Sequence, residues 1–381
     1  MKRPVLFGCP LLIVCFLSLF SPAQQFQPTA FYQVAHHSIF WGSTTADFNG
    51  DGNLDVAIAD QHNSQVDMML GVGDGTFVPG VRIPALIATG VAAGDLNGDG
   101  KADLVVARFT DPGKLSLYFG NGDGTFASAG VITAGRQPIG VVIADLNGDG
   151  SQDIAVANSN TNGTAGTISV YLNQGAGTFT AANYRATGHP WAIAVGDFDS
   201  DGHPDLVVTK DNYSGSNSNK SLTILLNNGD GSYRRLTDYT LGVEVVGVSV
   251  GDINHDGKPD LAVAVSDGFI VTLLGDGNGF FSKKRKYPET LGVAPTAVAL
   301  ADFNLDGNLD MAVAMLQGTS VSTELFYGKS DGTFVQPPVP IISGNYGTNS
   351  MVVGDFDHDG AMDVAIPVEQ GGTLAVALNT Q

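Results

Sequence analysis

One nine-residue pattern, D-x-[DN]-x-D-G-x-x-D, recurs seven times along the chain. The first copy carries Asp47, Asn49, Asp51, Asn53 and Asp55 at its odd positions, and the second carries Asp95, Asn97, Asp99, Lys101 and Asp103. The third has Asp145, Asn147, Asp149, Ser151 and Asp153, and the fourth Asp197, Asp199, Asp201, His203 and Asp205. Then come Asp252, Asn254, Asp256, Lys258 and Asp260, followed by Asp302, Asn304, Asp306, Asn308 and Asp310. The last copy holds Asp355, Asp357, Asp359, Ala361 and Asp363. Side-chain oxygens at positions 1, 3, 5 and 9 can converge on one hard cation. Position 7 adds only its main-chain carbonyl, so Asn53, Lys101 and Ala361 are equally suitable there. The invariant glycine at position 6 permits the sharp turn that convergence needs. Oxygen-only coordination of this kind suits calcium, so up to seven calcium ions are expected.

The flanks differ from those of a helix-loop-helix calcium site. That site ends in a bidentate Glu at position 12, where this chain has Ile58 in the first copy and Val106 in the second. The ninth-position carboxylate takes over the role. An Asx-rich turn that holds no ion is the alternative reading of one copy. Seven complete copies weigh against it, because clustered carboxylates repel unless neutralised.

The first aspartates of successive copies lie 48, 50, 52, 55, 50 and 53 residues apart. A repeat of that length is one supersecondary unit. It fills nearly the whole chain and leaves no room for a second domain. Small and apolar residues precede each loop, as in 90–94, 140–144 and 192–196, and β-branched runs follow it, as in 103–107 and 260–264. A third run (115–119, 222–226) leads to a Gly-Asp-Gly turn and a more polar fourth run. That is four short antiparallel strands per repeat. The residue five before each loop is always small: Gly42, Gly90, Gly140, Ala192, Gly247, Ala297 and Ser350. Small side chains fit strands that crowd an axis. The prediction is an all-β, seven-bladed β-propeller of four-stranded antiparallel blades. A straight solenoid with capped ends is the second architecture. The last repeat stops after its third run, and residues 26–34 resemble the fourth-strand segments 77–82 and 179–184. The N-terminal strand is therefore expected to complete the last blade and close the ring. Pro367 should end or bulge the second strand of that blade.

These repeats resemble the FG-GAP/VCBS family, the repeats of the integrin α-subunit propeller. The resemblance spans residues 26–379 and rests on the Gly/Ala-rich strand, the nine-residue loop and the following G-D-G-T-F. It implies calcium between the first two strands of each blade, on one face, with ligands engaged on the opposite face. Nothing here matches an integrin's other domains, so adhesion through a partner subunit is not implied.

Lys2 and Arg3 precede an apolar run, residues 5–20, and then Ser21-Pro22-Ala23. Residues 1–23 thus read as a secretory signal peptide, with residues 24–381 as the propeller; an uncleaved anchor is the other possibility. Both cysteines, Cys9 and Cys15, fall in the signal. An exported chain without disulfides needs another staple, and metal is the usual one. The expected location is secreted, periplasmic or cell-surface, with no membrane span in the mature chain and a monomeric state. The net charge of −20 and 38 Asp+Glu against 18 Lys+Arg disfavour nucleic acid as a partner. Three carboxylates in every loop, with Asp199 and Asp357, account for most of that acidity. The remainder of the chain is nearly neutral, so an acidic glycan is compatible with it.

The face opposite the loops should carry the starts of the first strands. Trp41 and Trp191 stand at equivalent positions there, six residues before their loops, near His37, Arg136, His189, Tyr213 and Tyr346. Aromatic and polar groups of this kind suit an extracellular protein or glycan; packing of both indoles between blades is the competing reading. Residues 158–167 and 210–221 are rich in Asn, Ser and Gly and read as ligand-contacting loops. Residues 247–251 match G-x-S-x-G but lie within a first strand, so the match is taken as chance. The basic run 283–286 with Arg234 and Arg235 reads as edge-strand protection rather than an acidic-polysaccharide patch. No acid–base pair stands outside the loops. A binding or adhesion module is therefore favoured over a polysaccharide lyase or hydrolase, or a purely structural surface protein.

Overall fold

The computed structural model describes residues 25–35, 38–161, 165–175, 177–211, 221–241, 244–288, 294–317, 320–344, 348–369 and 371–380. The signal segment 1–23, His37, Tyr213 and Tyr346 lie outside these residues.

Among the described residues, seven antiparallel sheets of four strands are formed. Blade 1 comprises Phe40–Ala46, Asp55–Asp60, Gln65–Gly71 and Phe77–Pro84, in that order from one edge to the other. Blades 2 to 6 repeat the plan, starting at Ala88, Pro138, His189, Val245 and Ala294. Blade 7 takes Val352–Gly354, Asp363–Val368 and Thr373–Ala377 from the end of the chain. Its fourth strand is Ala30–Gln33, paired Ala30 to Val376 and Gln33 to Thr373. First strands of consecutive blades touch one another all the way round, blade 7 to blade 1 included. The fold is a seven-bladed β-propeller with its first strands around the axis and its ring closed by the N-terminal strand.

The core lies between blades rather than within them. Seven buried clusters each join two consecutive blades. Across the seam, Val352, Phe356, Leu374 and Val376 of blade 7 pack on Phe40, Val56, Ile58 and Met69 of blade 1. Second strands are covered on both faces, and every residue of Asp55–Asp60 is buried. This explains why those segments read as unbroken β-branched runs instead of alternating ones.

The first strands begin two or three residues earlier than the apolar runs suggested. Six of them hold one extra residue at the same place, so that pairing shifts register, for example between Phe40 and Gly42 and between Pro190 and Ile193. A bulge bends a strand and re-aims a side chain. At Trp41 the bulged residue is the tryptophan itself.

Close approach around the axis accounts for the small residues. A Cβ on Gly90 would stand 2.1 Å from the Ile139 carbonyl oxygen of the next blade, and one on Gly42 would stand 2.7 Å from that of Thr89. Contrary to expectation, Pro367 neither ends nor bulges its strand, which runs on to Val368 with Pro367 opposite Leu374. The first strand of blade 7 pairs only as far as Ala365. The proline's missing N–H therefore falls where the ladder on that side has already stopped.

Gly90→Val should destabilise the protein by about 1–3 kcal/mol in urea unfolding, as overpacking against an immovable backbone does. Gly247→Ala should be neutral or slightly stabilising, because its nearest neighbour to an added Cβ is 3.6 Å away.

Candidate metal centres and the opposite face

Each loop connects the end of a first strand to the start of a second, so all seven lie on one face of the ring. The ninth-position aspartate opens the second strand and is buried in every blade. Both its oxygens accept main-chain hydrogen bonds. In blade 1, Asp55 accepts the Phe48 N–H at 2.9 Å and the Gly71 N–H at 2.8 Å. The corresponding donors are Leu96 and Gly120 to Asp103, Leu146 and Asn173 to Asp153, and Phe198 and Asn227 to Asp205. Ile253 and Gly275 serve Asp260, Phe303 and Gly328 serve Asp310, and Phe356 and Asn379 serve Asp363. One carboxylate thus ties position 2 of the loop to the end of the third strand. Burial outweighs these bonds and pushes Asp55, Asp205 and Asp260 up to about 6, and Asp310 and Asp363 up to about 7.

The rest of the loop is shaped by its own N–H groups. The first-position carboxylate accepts the N–H of the position-6 glycine in all seven copies. The fifth-position carboxylate accepts the N–H of position 7 in all seven. Position 6 has positive φ throughout. So does position 4, including Ser200, His255, Leu305 and His358, which are not glycines. The glycines at position 4 of the first three copies were the sequence's only sign of this.

Every acceptor oxygen keeps a second lone pair, so the same oxygens can also face a cation. Asp197, Asp199 and Asp205 bring one oxygen each within 4.8 Å of one another, and so do Asp355, Asp357 and Asp363. These two acidic clusters could hold a metal ion, and their hard oxygen donors fit calcium. The other five loops have Asn at position 3 and hence one charge fewer. Burial, then the neighbouring carboxylates, raises Asp199 and Asp357. Asp199 also departs from the common pattern. Its Oδ2 lies 3.6 Å from the Arg234 guanidinium, and its buried Oδ1 has no hydrogen-bond partner among the described residues.

Position 2 of the loop, which offers no ligand chemistry, carries a second structural role. Phe48, Leu96, Leu146, Phe198, Ile253, Phe303 and Phe356 are all at most 2% exposed. Several of their carbonyls accept hydrogen bonds from the next blade: Gly124 N–H to Phe48, Asn173 Nδ2 to Leu96, Asn227 Nδ2 to Leu146 and Gly279 N–H to Phe198. The signal was available as an apolar residue in every copy. Histidines at position 4 also bridge blades. His358 Nε2 meets Asn53 Oδ1 at 2.8 Å and His255 Nε2 meets Asn308 Oδ1 at 3.2 Å.

On the opposite face, Trp41 and Trp191 meet each other, with ring centroids 5.3 Å apart and planes tilted by 46°. Neither indole is buried between adjacent blades. His189 is buried, with Nδ1 2.8 Å from the Ser159 carbonyl oxygen. Arg136 pairs with Asp111 at 3.1 Å and lines a cleft of about 380 Å³ between blades 2 and 3, with Asn160, Tyr171 and Asn183. Of the predicted loop 210–221, residues 212–220 lie outside the described residues, and Lys210 belongs to the second strand of blade 4. Its side chain is fully buried, with Nζ donating to Asp238 at 2.8 Å and Thr187 at 2.6 Å, and burial lowers it to about 7. Ser249 sits in the first strand of blade 5, and its Oγ accepts the Leu300 N–H of blade 6. The G-x-S-x-G match is thus an inter-blade hydrogen bond. Of the basic edge, Arg234 and Arg235 are paired to Asp199 and Asp238, and Lys286 lies 4.9 Å over the Phe269 ring.

Leaving two buried N–H groups unpaired costs about 1–3 kcal/mol each. Asp310→Ala should therefore cost at least about 2 kcal/mol with calcium or chelator alike, as read by urea unfolding. A carboxyl raised above its unfolded value stabilises the fold below that value, and this is lost as pH rises through 6–7. In chelator, the melting temperature should rise as pH falls from 8 to about 5, and a flat or falling profile would contradict the burial of these groups.

Comparison with known proteins places these features in a wider set. A family model described as "FG-GAP-like repeat" matches residues 47–106, 95–156, 145–208, 210–263, 252–313 and 313–366. Comparison with curated proteins by sequence gave no match. Among solved structures, BBS1N in complex with ARL6DN, soaked with mercury, matches with a TM-score of 0.65 and 15% identity, over 93% of this chain and 97% of that one. The lead-soaked form of the same complex gives a TM-score of 0.63 and 13% identity, over 94% and 98%. At such identity the likeness is one of fold. The repeat matches cover most of the chain, and on that ground it belongs to the FG-GAP-like repeat family.

Proposed function

We propose that this protein is an exported binding module: a propeller pinned on one face by calcium, which engages a protein or glycan with the other. The observation that carries this reading is the division of labour between the faces. One face repeats a single oxygen-lined loop seven times, each loop locked to its blade by a buried carboxylate. The other breaks the repeat, with two half-buried tryptophans in contact and an arginine-lined cleft. Repetition suits a staple, and irregularity suits recognition. BBS1N, crystallised with ARL6DN, is a propeller of this fold with a protein bound, which supports a protein partner here. Extracellular modules bind calcium at about 10⁻⁴–10⁻³ M, the range that export would make available to these loops.

A site held at ten times its dissociation constant adds about 1.4 kcal/mol of stability. Removing calcium at pH 7.5 should therefore lower the melting temperature sharply, and an unchanged melt would overturn the calcium reading. Asp357→Asn should weaken one site in a calorimetric calcium titration without abolishing it, since five copies carry Asn at this position, and leave the others unchanged. Binding without turnover is tested by co-sedimentation with insoluble polysaccharides alongside chromatography of any released products. Release of sugar products would make the protein an enzyme instead. A secreted chain beginning at Gln24 is expected from N-terminal sequencing.

A further inference from the structure

Trp41 belongs to the first strand of blade 1 and Trp191 to that of blade 4. Seven first strands ring the axis, and blades 1 and 4 are separated by two blades on one side and three on the other. Rings 5.3 Å apart from such distant blades can meet only across the axis. Both residues lie near the start of strands whose far ends lead into the acidic loops. The pair therefore sits at the channel mouth on the face away from those loops. The strand bulges of blades 1 and 4 fall at these residues.

Three features turn this pair into a binding platform. Both indoles remain part-exposed, although they stand on innermost strands. The Trp41 Nε1–H is buried and has no hydrogen-bond partner among the described residues, an unmet donor that a turn of the part-exposed ring would bring to an acceptor. The equivalent positions in the other blades are Thr89, Ile139, Val246, Thr296 and Asn349. None is charged, in a protein with a net charge of −20. Asn349 is exposed and donates from Nδ2 to Glu369 at 2.9 Å and to the Phe40 carbonyl oxygen, beside Trp41, at 3.1 Å.

Size decides the class of ligand. A stable protein interface needs about 800 Å² from each partner, whereas an aromatic side chain contributes about 150–250 Å² even when wholly covered. Two part-exposed indoles match the face of a single ring. We propose that Trp41 and Trp191 form an axial subsite for one residue of a neutral glycan, its C–H face stacked on the exposed parts of the indoles, with Trp41 Nε1 available to a hydroxyl once the ring turns. This rests on the reading of that face as the binding face and names its ligand class.

The chain has only two tryptophans, and both are in the pair. Indole emission therefore reports this site alone. The calcium-replete full chain is titrated with cellotetraose, xylotetraose, mannotetraose and tetra-N-acetylchitotetraose, excited at the red edge of the indole band. The expected result is a saturable change in emission with at least one of them, insensitive to added salt. Affinity should fall about tenfold or more in Trp41→Ala and in Trp191→Ala, each still carrying one indole as reporter. Asn349→Ala, at the exposed rim, should weaken binding if the alanine variants fail to fold. No change in emission with any of the four sugars overturns the proposal, as does binding that persists in every variant. A protein ligand that binds this face without moving indole emission would leave the binding-module reading intact while overturning the glycan subsite.

Discussion

The buried carboxylate at the ninth loop position is the constraint from which the rest of the propeller follows. It accepts one N–H from the loop and one from the end of the third strand or two residues beyond it, and it does so seven times. Those two bonds fix where the loop lies relative to strands one, two and three of its own blade. Once the loop is fixed, its second residue must point its apolar side chain into the gap toward the next blade. That side chain, buried in all seven copies, belongs to the core clusters that join consecutive blades. A local hydrogen-bond pattern is thereby converted into ring assembly. Burial of a carboxylate is costly. The fold accepts the cost because no neutral side chain of that length offers two acceptors to two divergent N–H groups.

The repeat made this architecture legible. Spacing gave the blade count, the unbroken apolar runs gave the second strands, and the small residues gave the axis. The closing strand was legible because the last repeat lacked a fourth run that residues 26–34 supplied. What stayed hidden depends on distances the repeat does not encode. The contact between Trp41 and Trp191 spans the axis between blades that are not neighbours, so no periodic reading could pair them. The bulge that presents Trp41 leaves no motif, because it is defined by the partner strand. Pro367 misled for a related reason: its tolerance rests on how short the neighbouring first strand is. Arg234 read as an edge charge, yet it faces Asp199 of its own blade's loop.

The acidic loops show a separation between shape and charge. Their turns are held by their own N–H groups, with first- and fifth-position carboxylates accepting bonds in every copy. The loop conformation is thus satisfied by hydrogen bonding alone. Charge is not satisfied in the same way. In blades 4 and 7, three carboxylates converge within 4.8 Å, and the buried members are held far above the usual carboxylate range. Two means of relief exist for such a site, a proton or a cation. A proton quenches one carboxylate, while a divalent cation satisfies all three and favours their ionised forms. Preshaped geometry with unrelieved charge is what a cation site needs, because binding then requires little rearrangement.

Blade 4 is where this logic is least uniform, and that irregularity is informative. Asp199 adds a charge that five other loops lack, yet it does not accept the position-5 N–H that its counterparts do. Its Oδ2 turns toward Arg234, leaving Oδ1 buried and without a hydrogen-bond partner among the described residues. The same blade contributes Trp191 to the axis and the buried Lys210–Asp238 pair. A pair of charges held out of water is seldom a source of net stability. Three departures from the repeat thus concentrate in one blade, two of them, Trp191 and Lys210, toward the face away from the loops. A ring needs identical joints to close, so a blade keeps its joints and varies elsewhere. The residues free to diverge are those that neither accept the loop's N–H groups nor fill the gaps between blades. In this chain such freedom is greatest at the channel mouth, which is why recognition is better sought there than among the seven acidic loops.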